Sequence, residues 1–246
     1  MSLSIVYKLV MMRRYSFTLI LMMAFGICAL AQNRETRTVR DFDEISMRVG
    51  GKVLVTQGDK NEVILEGDEE LLEKIETEVR GGRLNIKSKR NNWGWWRNGR
   101  NRGRLTVYVT VKELKGAYIS GSGDIISQNT IKTDDFTASI AGSGDIEMDL
   151  EAEYVESKIS GSGNIELQGK TDRARLSISG SGKYMAEKLV AGDYYVSMSG
   201  SGRGSINVDG GDLDVRISGS GKIYYMGKPS SVNSSVSGSG SVRKIN

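Results

Sequence analysis

One short segment, NNWGWWRNGRNRGR at 91–104, holds the residue types best suited to bind a ligand. All three tryptophans of the chain lie within four of its positions, and four arginines follow without an acidic residue. Aromatic faces beside guanidinium groups suit sugar rings, anionic glycans, lipid headgroups or an acidic protein surface. The alternative is that the tryptophans pack on the rest of the fold and the arginines keep the segment soluble. The predicted ligand-binding residues are Trp93, Trp95, Trp96, Arg97, Arg100, Arg102 and Arg104.

Catalytic chemistry has little support in the residue types. The chain has no histidine, and its one cysteine, Cys28, lies in a predicted signal peptide, so Ser-His-Asp, Cys-His and His- or Cys-built zinc sites are excluded. A cluster of acids offers carboxylates of the kind that glycoside hydrolases use, but its alternation along a strand is typical of a solvated face. We therefore expect no enzyme activity, no catalytic residue and no cofactor, with a carbohydrate-active enzyme as the third interpretation. The acids are Glu147, Asp149, Glu151, Glu153 and Glu156.

The tripeptide Gly-Ser-Gly occurs seven times after residue 120, and it suggests two kinds of binding loop that its context excludes. A phosphate-binding loop needs a single glycine loop between a strand and a helix, and no helical pattern follows these copies. A calcium ladder needs several oxygen ligands, but three of the copies are followed by a cation that would repel the metal. The residues after the tripeptides are Asp124, Asp145, Asn164, Lys183, Arg203, Lys222 and Ser241. We expect no nucleotide or metal site.

The spacing of the tripeptides predicts the fold. They recur at steps of 19 to 21 residues, a period typical of one coil of a β-solenoid. Equivalent residues then stack about 4.8 Å apart, so the apolar residue two positions before each copy forms a continuous buried column. The glycines would form the corners, because a positive φ or a close backbone approach excludes a Cβ. These corner residues are Gly121, Gly123, Gly142, Gly144, Gly161, Gly163, Gly180, Gly182, Gly200, Gly202, Gly219, Gly221, Gly238 and Gly240.

The region before the repeats, 32–115, is predicted to hold strands that continue into the solenoid at 116–246. Alternating apolar and polar residues, as in VLVTQ at 53–57, indicate paired strands. Within 68–81 the apolar residues recur at helical spacing, acids occupy the first turn, and two glycines follow. This pattern predicts one short helix over 68–81, placed to cover an end of the solenoid.

The first 31 residues resemble a secretory signal peptide. Arg13 and Arg14 precede an apolar run at 17–30 that ends in Ala29-Leu30-Ala31, which matches a cleavage site. The run is shorter than the roughly 20 residues that span a bilayer, so we expect an exported chain with no membrane span after processing. Lipidation at Cys28 is disfavoured because the preceding residue is not small. The mature chain is nearly neutral, so we expect no nucleic-acid partner.

Six tyrosines form a further group in the repeats. In the two adjacent pairs we expect one ring to point inward and one outward, so packing explains the group better than the alternative, a glycan-binding stripe. The tyrosines are Tyr154, Tyr184, Tyr194, Tyr195, Tyr224 and Tyr225.

Three stretches carry a resemblance to a known family: FDEISMRVGGKVLVTQGDKNEVILEGDEELLEKIETEV at 42–79, LTVYVTVKELKGAYISGSGDI at 105–125, and the repeated ISGSG. Together they resemble the putative auto-transporter adhesin, head GIN domain family of exported Gram-negative proteins. The resemblance implies an all-β, single-stranded, right-handed β-helix in the periplasm or at the cell surface, with adhesion to a glycan or to an envelope or host protein as its role. The alternative function is a structural envelope protein that self-associates through solenoid edges, although Arg243 and Lys244 disfavour end-to-end pairing.

Overall fold

The structure, a computed structural model, describes residues 33–89 and 105–245. In these ranges the chain forms eighteen strands and one helical turn, α1 (Glu69–Leu72). The strands are β1 (Asn33–Arg37), β2 (Glu44–Met47), β3 (Lys52–Gln57), β4 (Glu62–Gly67), β5 (Ile75–Arg80), β6 (Arg83–Ser88), β7 (Thr106–Val111), β8 (Gly116–Gly121), β9 (Asp124–Ser127), β10 (Ile131–Gly142), β11 (Asp145–Gly161), β12 (Asn164–Gly180), β13 (Lys183–Gly200), β14 (Arg203–Asp209), β15 (Asp212–Gly219), β16 (Lys222–Lys228), β17 (Ser231–Ser237) and β18 (Ser241–Lys244).

The Gly-Ser-Gly tripeptides stack directly on one another, which confirms the predicted β-solenoid. Gly121, Gly142 and Gly161 pair in register through parallel strands. The first glycine of every copy has a φ between 116° and 146°, a region that other residues rarely adopt. The amide of Ser162 donates to the carbonyl of Gly142 in the preceding coil at 2.9 Å, and the amides of Ser143, Ser181, Ser201 and Ser220 make the equivalent bond. These corners therefore link neighbouring coils by shape and by hydrogen bonds.

Each coil of the repeat region consists of two runs that face each other across the core. In β11 the buried side chains change from even positions, such as Ile146 and Leu150, to odd positions, such as Val155 and Ile159. This change of phase marks a bend opposite the glycine corner, because side chains alternate strictly along an unbroken strand. The parallel register then carries each buried position into the next coil, as at Ile140, Ile159 and Ile178. The core is a set of such columns.

At the N-terminal end the order of coils in space differs from their order in the chain. Strand β2 pairs in parallel with both β6 and β8, and β3 pairs in parallel with both β7 and β9. The coil made by β2 and β3 therefore lies between an outer coil, β6 with β7, and the first repeat coil, β8 with β9. Residues 48–51 occupy the corner position in this middle coil, where Gly51 has a φ of 129°.

The outer coil is covered by antiparallel strands. β5 pairs with β6, β4 pairs with β7, and β1 pairs with β4. The turn α1 joins β4 to β5 and buries Leu71 and Leu72. These elements cap the N-terminal end of the solenoid, because they cover strand edges that a coil would otherwise leave unpaired.

The predicted helix over 68–81 is wrong beyond its first turn. The helix ends at Leu72, and Ile75–Arg80 form the strand β5. Ile75, Thr77 and Val79 are β-branched residues at a spacing of two, which favours a strand that packs one face on the core. Gly81 and Gly82, with φ of 58° and 77°, form the tight turn between β5 and β6. Positive φ at both central residues is the requirement of a type I′ hairpin.

Candidate functional site

A cleft at the N-terminal cap is lined by four cationic side chains. It has a volume of about 280 Å³ and lies between β2 and the β5–β6 hairpin. Four cations and two carboxylates line it, so its charge is positive. The lining residues with charge are Glu44, Arg48, Glu78, Arg80, Arg83 and Lys87.

Arg83 is fixed at one side of the cleft by two contacts. Its Nε donates to Glu44 Oε2 at 2.7 Å, and its guanidinium carbon lies 3.8 Å from the centroid of the Tyr118 ring. The Tyr118 hydroxyl donates to the same carboxylate at 3.2 Å. The hydrogen bond to Glu44 raises the pKa of Arg83, and burial raises the pKa of Tyr118. The guanidinium therefore stays charged and presents a planar, stacked surface.

On the other side of the cleft, one carboxylate holds two cations. Glu78 accepts from Arg80 at 2.6 Å and from Lys87 at 3.0 Å, and Lys87 also lies 3.4 Å from Glu76. The hydrogen bond from Arg80, followed by the one from Lys87, lowers the pKa of Glu78. These exposed pairs are weak individually, so an incoming anion can compete for the two cations.

Arg48 completes the cleft without such a partner. Its side chain is exposed, and among residues 33–89 and 105–245 it makes no ion pair. It lies in the corner of the middle coil, where its amide donates to the carbonyl of Ile86 at 2.9 Å. A charged side chain at this corner, which is paired with no carboxylate among the described residues, is available to an anionic ligand.

The predicted Trp/Arg segment lies, in the sequence, between β6 and β7. Met47 pairs with Ile86, and Lys52 pairs with Thr106. In the outer coil, β6 and β7 are therefore the strands that align with β2 and β3. The predicted binding residues Trp93, Trp95, Trp96, Arg97, Arg100, Arg102 and Arg104 lie outside the described residues. The described cleft borders the strand that leads into them, since Arg83 and Lys87 belong to β6.

The family becomes clear from comparison with known proteins. The model of the putative auto-transporter adhesin, head GIN domain matches residues 41–229, which include the cleft and most of the solenoid. The chain belongs to this family. No curated protein matches the chain.

Solved structures share the head GIN domain architecture. A putative adhesin from Bacteroides fragilis is 23% identical, covers 88% of this chain and 98% of its own, and gives a TM-score of 0.81. A putative lipid binding protein from Parabacteroides distasonis is 29% identical over 87% of this chain and 97% of its own, with a TM-score of 0.68. A putative adhesin from Parabacteroides merdae is 20% identical over 87% and 96%, with a TM-score of 0.65. These similarities confirm the solenoid fold of the head GIN domain.

The acidic cluster of this head GIN domain divides into separate places. Glu147 and Asp149 line one shallow cavity, whereas Glu151 and Glu153 line another, and Glu156 pairs with Lys158 at 2.6 Å. A hydrogen bond from Lys132 lowers the pKa of Glu151, the opposite of what a general acid needs at neutral pH. Two of the five acids, Glu151 and Glu156, are therefore ion-paired.

The residues that follow the glycine corners form one column, as the repeat predicts. Asp124, Asp145, Asn164 and Lys183 are in register, and Asn164 donates to Asp145 at 2.7 Å. Burial, with the charge of Asp145, raises the pKa of Asp124. In the described ranges, no three acidic, histidine or cysteine side chains are grouped closely enough to hold a metal ion.

The tyrosines divide into buried and exposed positions. Tyr184 and Tyr194 are buried, whereas Tyr195 is 44% exposed, as expected for that adjacent pair. In the parallel strand register, Tyr154 is aligned with Arg173, Tyr195 with Arg175, and Tyr224 with Ser205. These three partly exposed rings therefore occupy three separate columns. They do not form one stripe.

Sequence reasoning missed the cleft. Its cations belong to residues 48, 80, 83 and 87, and its acids to 44 and 78, which alternate with apolar residues as on any half-buried strand. Their convergence depends on β2 pairing with β6 across 39 positions.

The helix α1 is a single turn, and no helix in the described ranges is long and apolar enough to cross a membrane.

Proposed function

We propose that this head GIN domain protein is an exported, non-enzymatic adhesin-like module that binds an acidic glycan at the cell envelope. The cationic cleft at the N-terminal cap is the proposed binding site. The observation that carries the proposal is the excess of cations in that cleft, with Arg48 unpaired among the described residues.

A sulfated or carboxylated sugar fits the chemistry of this cleft. Charge-assisted hydrogen bonds to arginine contribute about 1.5–3 kcal/mol each, and guanidinium groups can hold an acidic group in bidentate geometry. Arg83, stacked on Tyr118, provides a flat cationic surface beside the pocket. The two ion pairs of Glu78 are exposed, so an acidic group of the ligand can replace Glu78 as the partner of these cations at a small cost in free energy.

Export and the absence of catalysis are supported by separate observations. The family is described as that of a putative auto-transporter adhesin head domain, and residues 1–31 have the features of a signal peptide. The acids that an enzyme would require are ion-paired or dispersed along the solenoid. Periplasmic placement and surface placement are both compatible with these observations.

Anionic lipid headgroups are the second candidate ligand. The Parabacteroides distasonis relative, described as a putative lipid binding protein, is 29% identical over most of both chains. A phosphate group would use the same cations as a sulfate or carboxylate. Lipid binding would therefore require the same cleft.

Charge reversal in the cleft tests both ligands. Arg48→Glu should weaken binding to immobilised sulfated or uronic-acid glycans about tenfold or more, and binding should fall steeply with salt. Arg203→Glu, an exposed arginine on the solenoid flank, is the control with the same change in charge. Vesicles with and without phosphatidylserine form the lipid arm. Equal binding by both variants would refute the cleft, and binding to vesicles alone would replace the glycan with a lipid.

The Trp/Arg segment remains a predicted part of the binding surface. Trp95→Ala with Trp96→Ala should abolish binding to the same glycans while the far-ultraviolet circular dichroism and unfolding midpoint stay unchanged. Full binding by this double variant would remove the segment from the site and leave the cleft alone. Loss of stability without loss of binding would show that the tryptophans pack on the fold.

A further inference from the structure

We infer that the C-terminal end of the solenoid is a self-association surface, at which β17 pairs antiparallel with β17 of a second copy. The two ends of the solenoid differ. The N-terminal end is covered by β4 and β5, whereas in the described ranges no strand pairs with the outer edge of β17. An uncovered strand of seven residues is a template for pairing with another chain.

Core-facing positions are uncovered at this end. Val232 and Val236 stack in register on Leu213 and Ile217 of the preceding coil, which are buried. The two valines are nevertheless 42% and 41% exposed, because in the described ranges no strand covers them. A second strand laid along β17 would cover these side chains, which is the source of apolar stabilisation for the contact.

The sequence of β17, SVNSSVS, is nearly palindromic about Ser234. In an antiparallel pair centred on Ser234, Val232 lies opposite the partner's Val236, and Asn233 lies opposite the partner's Ser235. Both valine pairs then fall on the core side of the strands, since side chains alternate with a period of two. A two-fold contact requires this self-complementarity.

Charge does not oppose the pairing. β17 has no charged residue and no proline, whereas β18 carries Arg243 and Lys244. Edge strands in soluble proteins usually carry such residues to prevent association. Arg243 and Lys244 therefore disfavour pairing of β18 with another chain, whereas β17, which precedes the corner, has no such cation.

The size of the contact sets its strength. A pair of seven-residue strands buries less than the roughly 1,200 Å² of a standard stable interface, so the dimer should be weak and depend on concentration. Sedimentation velocity of the purified protein, from about micromolar to about millimolar, should show a reversible monomer–dimer equilibrium. A single monomeric species up to about one millimolar would overturn the inference.

Charged substitutions at facing positions test the register of the antiparallel β17 pair. In the two-fold pair, Asn233→Lys combined with Ser235→Glu sets opposite charges across the strands twice, and each new charge also stacks on an opposite charge, Asp214 or Arg216. Asn233→Lys combined with Ser235→Lys sets like charges across the same pairs. Dimerisation of the second variant should be about tenfold weaker than that of the first.

A third variant controls for net charge. Ser120→Lys with Ser160→Lys adds the same two charges at exposed positions on other coils, and it should dimerise like the unmodified protein. Equal weakening by both lysine variants would show a general charge effect and overturn the β17 contact. Head-to-tail stacking on the N-terminal cap would instead produce species larger than dimers, and it too would overturn the two-fold pair.

Discussion

The hydroxyl of Tyr184 lies 2.7 Å from the hydroxyl of Tyr194, across the interior of a single coil. Their rings meet edge to face, with centroids 6.5 Å apart, and both side chains are buried. Tyr184 follows one glycine corner and Tyr194 precedes the next, so the bond joins the two runs of the coil. Gly204 stacks beside Tyr184 in the following coil, and the space that its missing side chain leaves is occupied by Ile223.

Removing both hydroxyls of this pair should cost less free energy of unfolding than the sum of the two single removals. Tyr184→Phe leaves the Tyr194 hydroxyl buried without its partner, which should lower the free energy of unfolding by about 1–3 kcal/mol. The double variant with Tyr194→Phe should lose less than the sum of the single losses, because no polar group is then left unpaired. Urea unfolding of the four proteins measures the coupling. Strictly additive losses would contradict the hydrogen bond.

Alkaline pH should destabilise the protein through the same pair. Burial raises the pKa of Tyr184 to about 12 and the pKa of Tyr194 in the same direction, whereas an unfolded tyrosine has a pKa near 10. Stability is therefore complete below about pH 10 and falls as the pH rises toward 12, because only the unfolded state releases the protons. At about 1.4 kcal/mol per pKa unit, Tyr184 accounts for roughly 3 kcal/mol. The double phenylalanine variant should show a flatter alkaline limb in pH-dependent unfolding.

Two glycines of one coil allow the cost of backbone strain to be measured apart from the cost of lost contact between coils. A Cβ on Gly219 would lie 2.6 Å from the carbonyl oxygen of Gly200, whereas a Cβ on Gly210 has nothing within 4 Å. Both have positive φ, so alanine is strained at each, by about 1 kcal/mol. Gly219→Ala should lose about 2–5 kcal/mol in total, since the coils must also separate. Thermal unfolding with equal losses for the two variants would show that coil contact at the corner adds nothing.

Asp124 should be mildly destabilising at neutral pH. Its pKa is raised, so the folded state disfavours its carboxylate, which lies next to Asp145 in the column. Asp124→Asn should raise the free energy of unfolding at pH 7 by less than about 1 kcal/mol, because the site is partly solvated. The gain should disappear as the pH falls toward 4, where the natural carboxyl becomes protonated. A gain independent of pH would point to a cause other than charge.

The repeated corners could be predicted from sequence because each copy reports the same local geometry. The N-terminal corner at residues 48–51 lacks the serine, so the tripeptide pattern does not reveal it. The sequence around Ile75 and Val79 predicts a helix because its apolar residues satisfy helical spacing as well as the alternation Ile75-Thr77-Val79. Tertiary pairing of β5 with β6 decides between the two.

The cleft could not be predicted for a different reason. Arg48 and Arg83 come together only because β2 lies between β6 and β8, and this order in space is not the order in the chain. Local sequence contains no signal that the order of the coils in space differs from their order in the chain. The Trp/Arg segment, in contrast, is visible in composition alone, and it lies outside the described residues.

The placement of β2 and β3 in the second layer has a consequence for how the molecule is assembled. In chain order β2 and β3 precede the strands β6 to β9 with which they pair, so we expect these first layers to form together as one nucleus. Each later coil pairs with the coil before it, and we expect it to add to the strand edge which that coil presents. Lengthening or shortening the repeat by whole coils leaves that nucleus untouched, so natural variation in length should concentrate after residue 127.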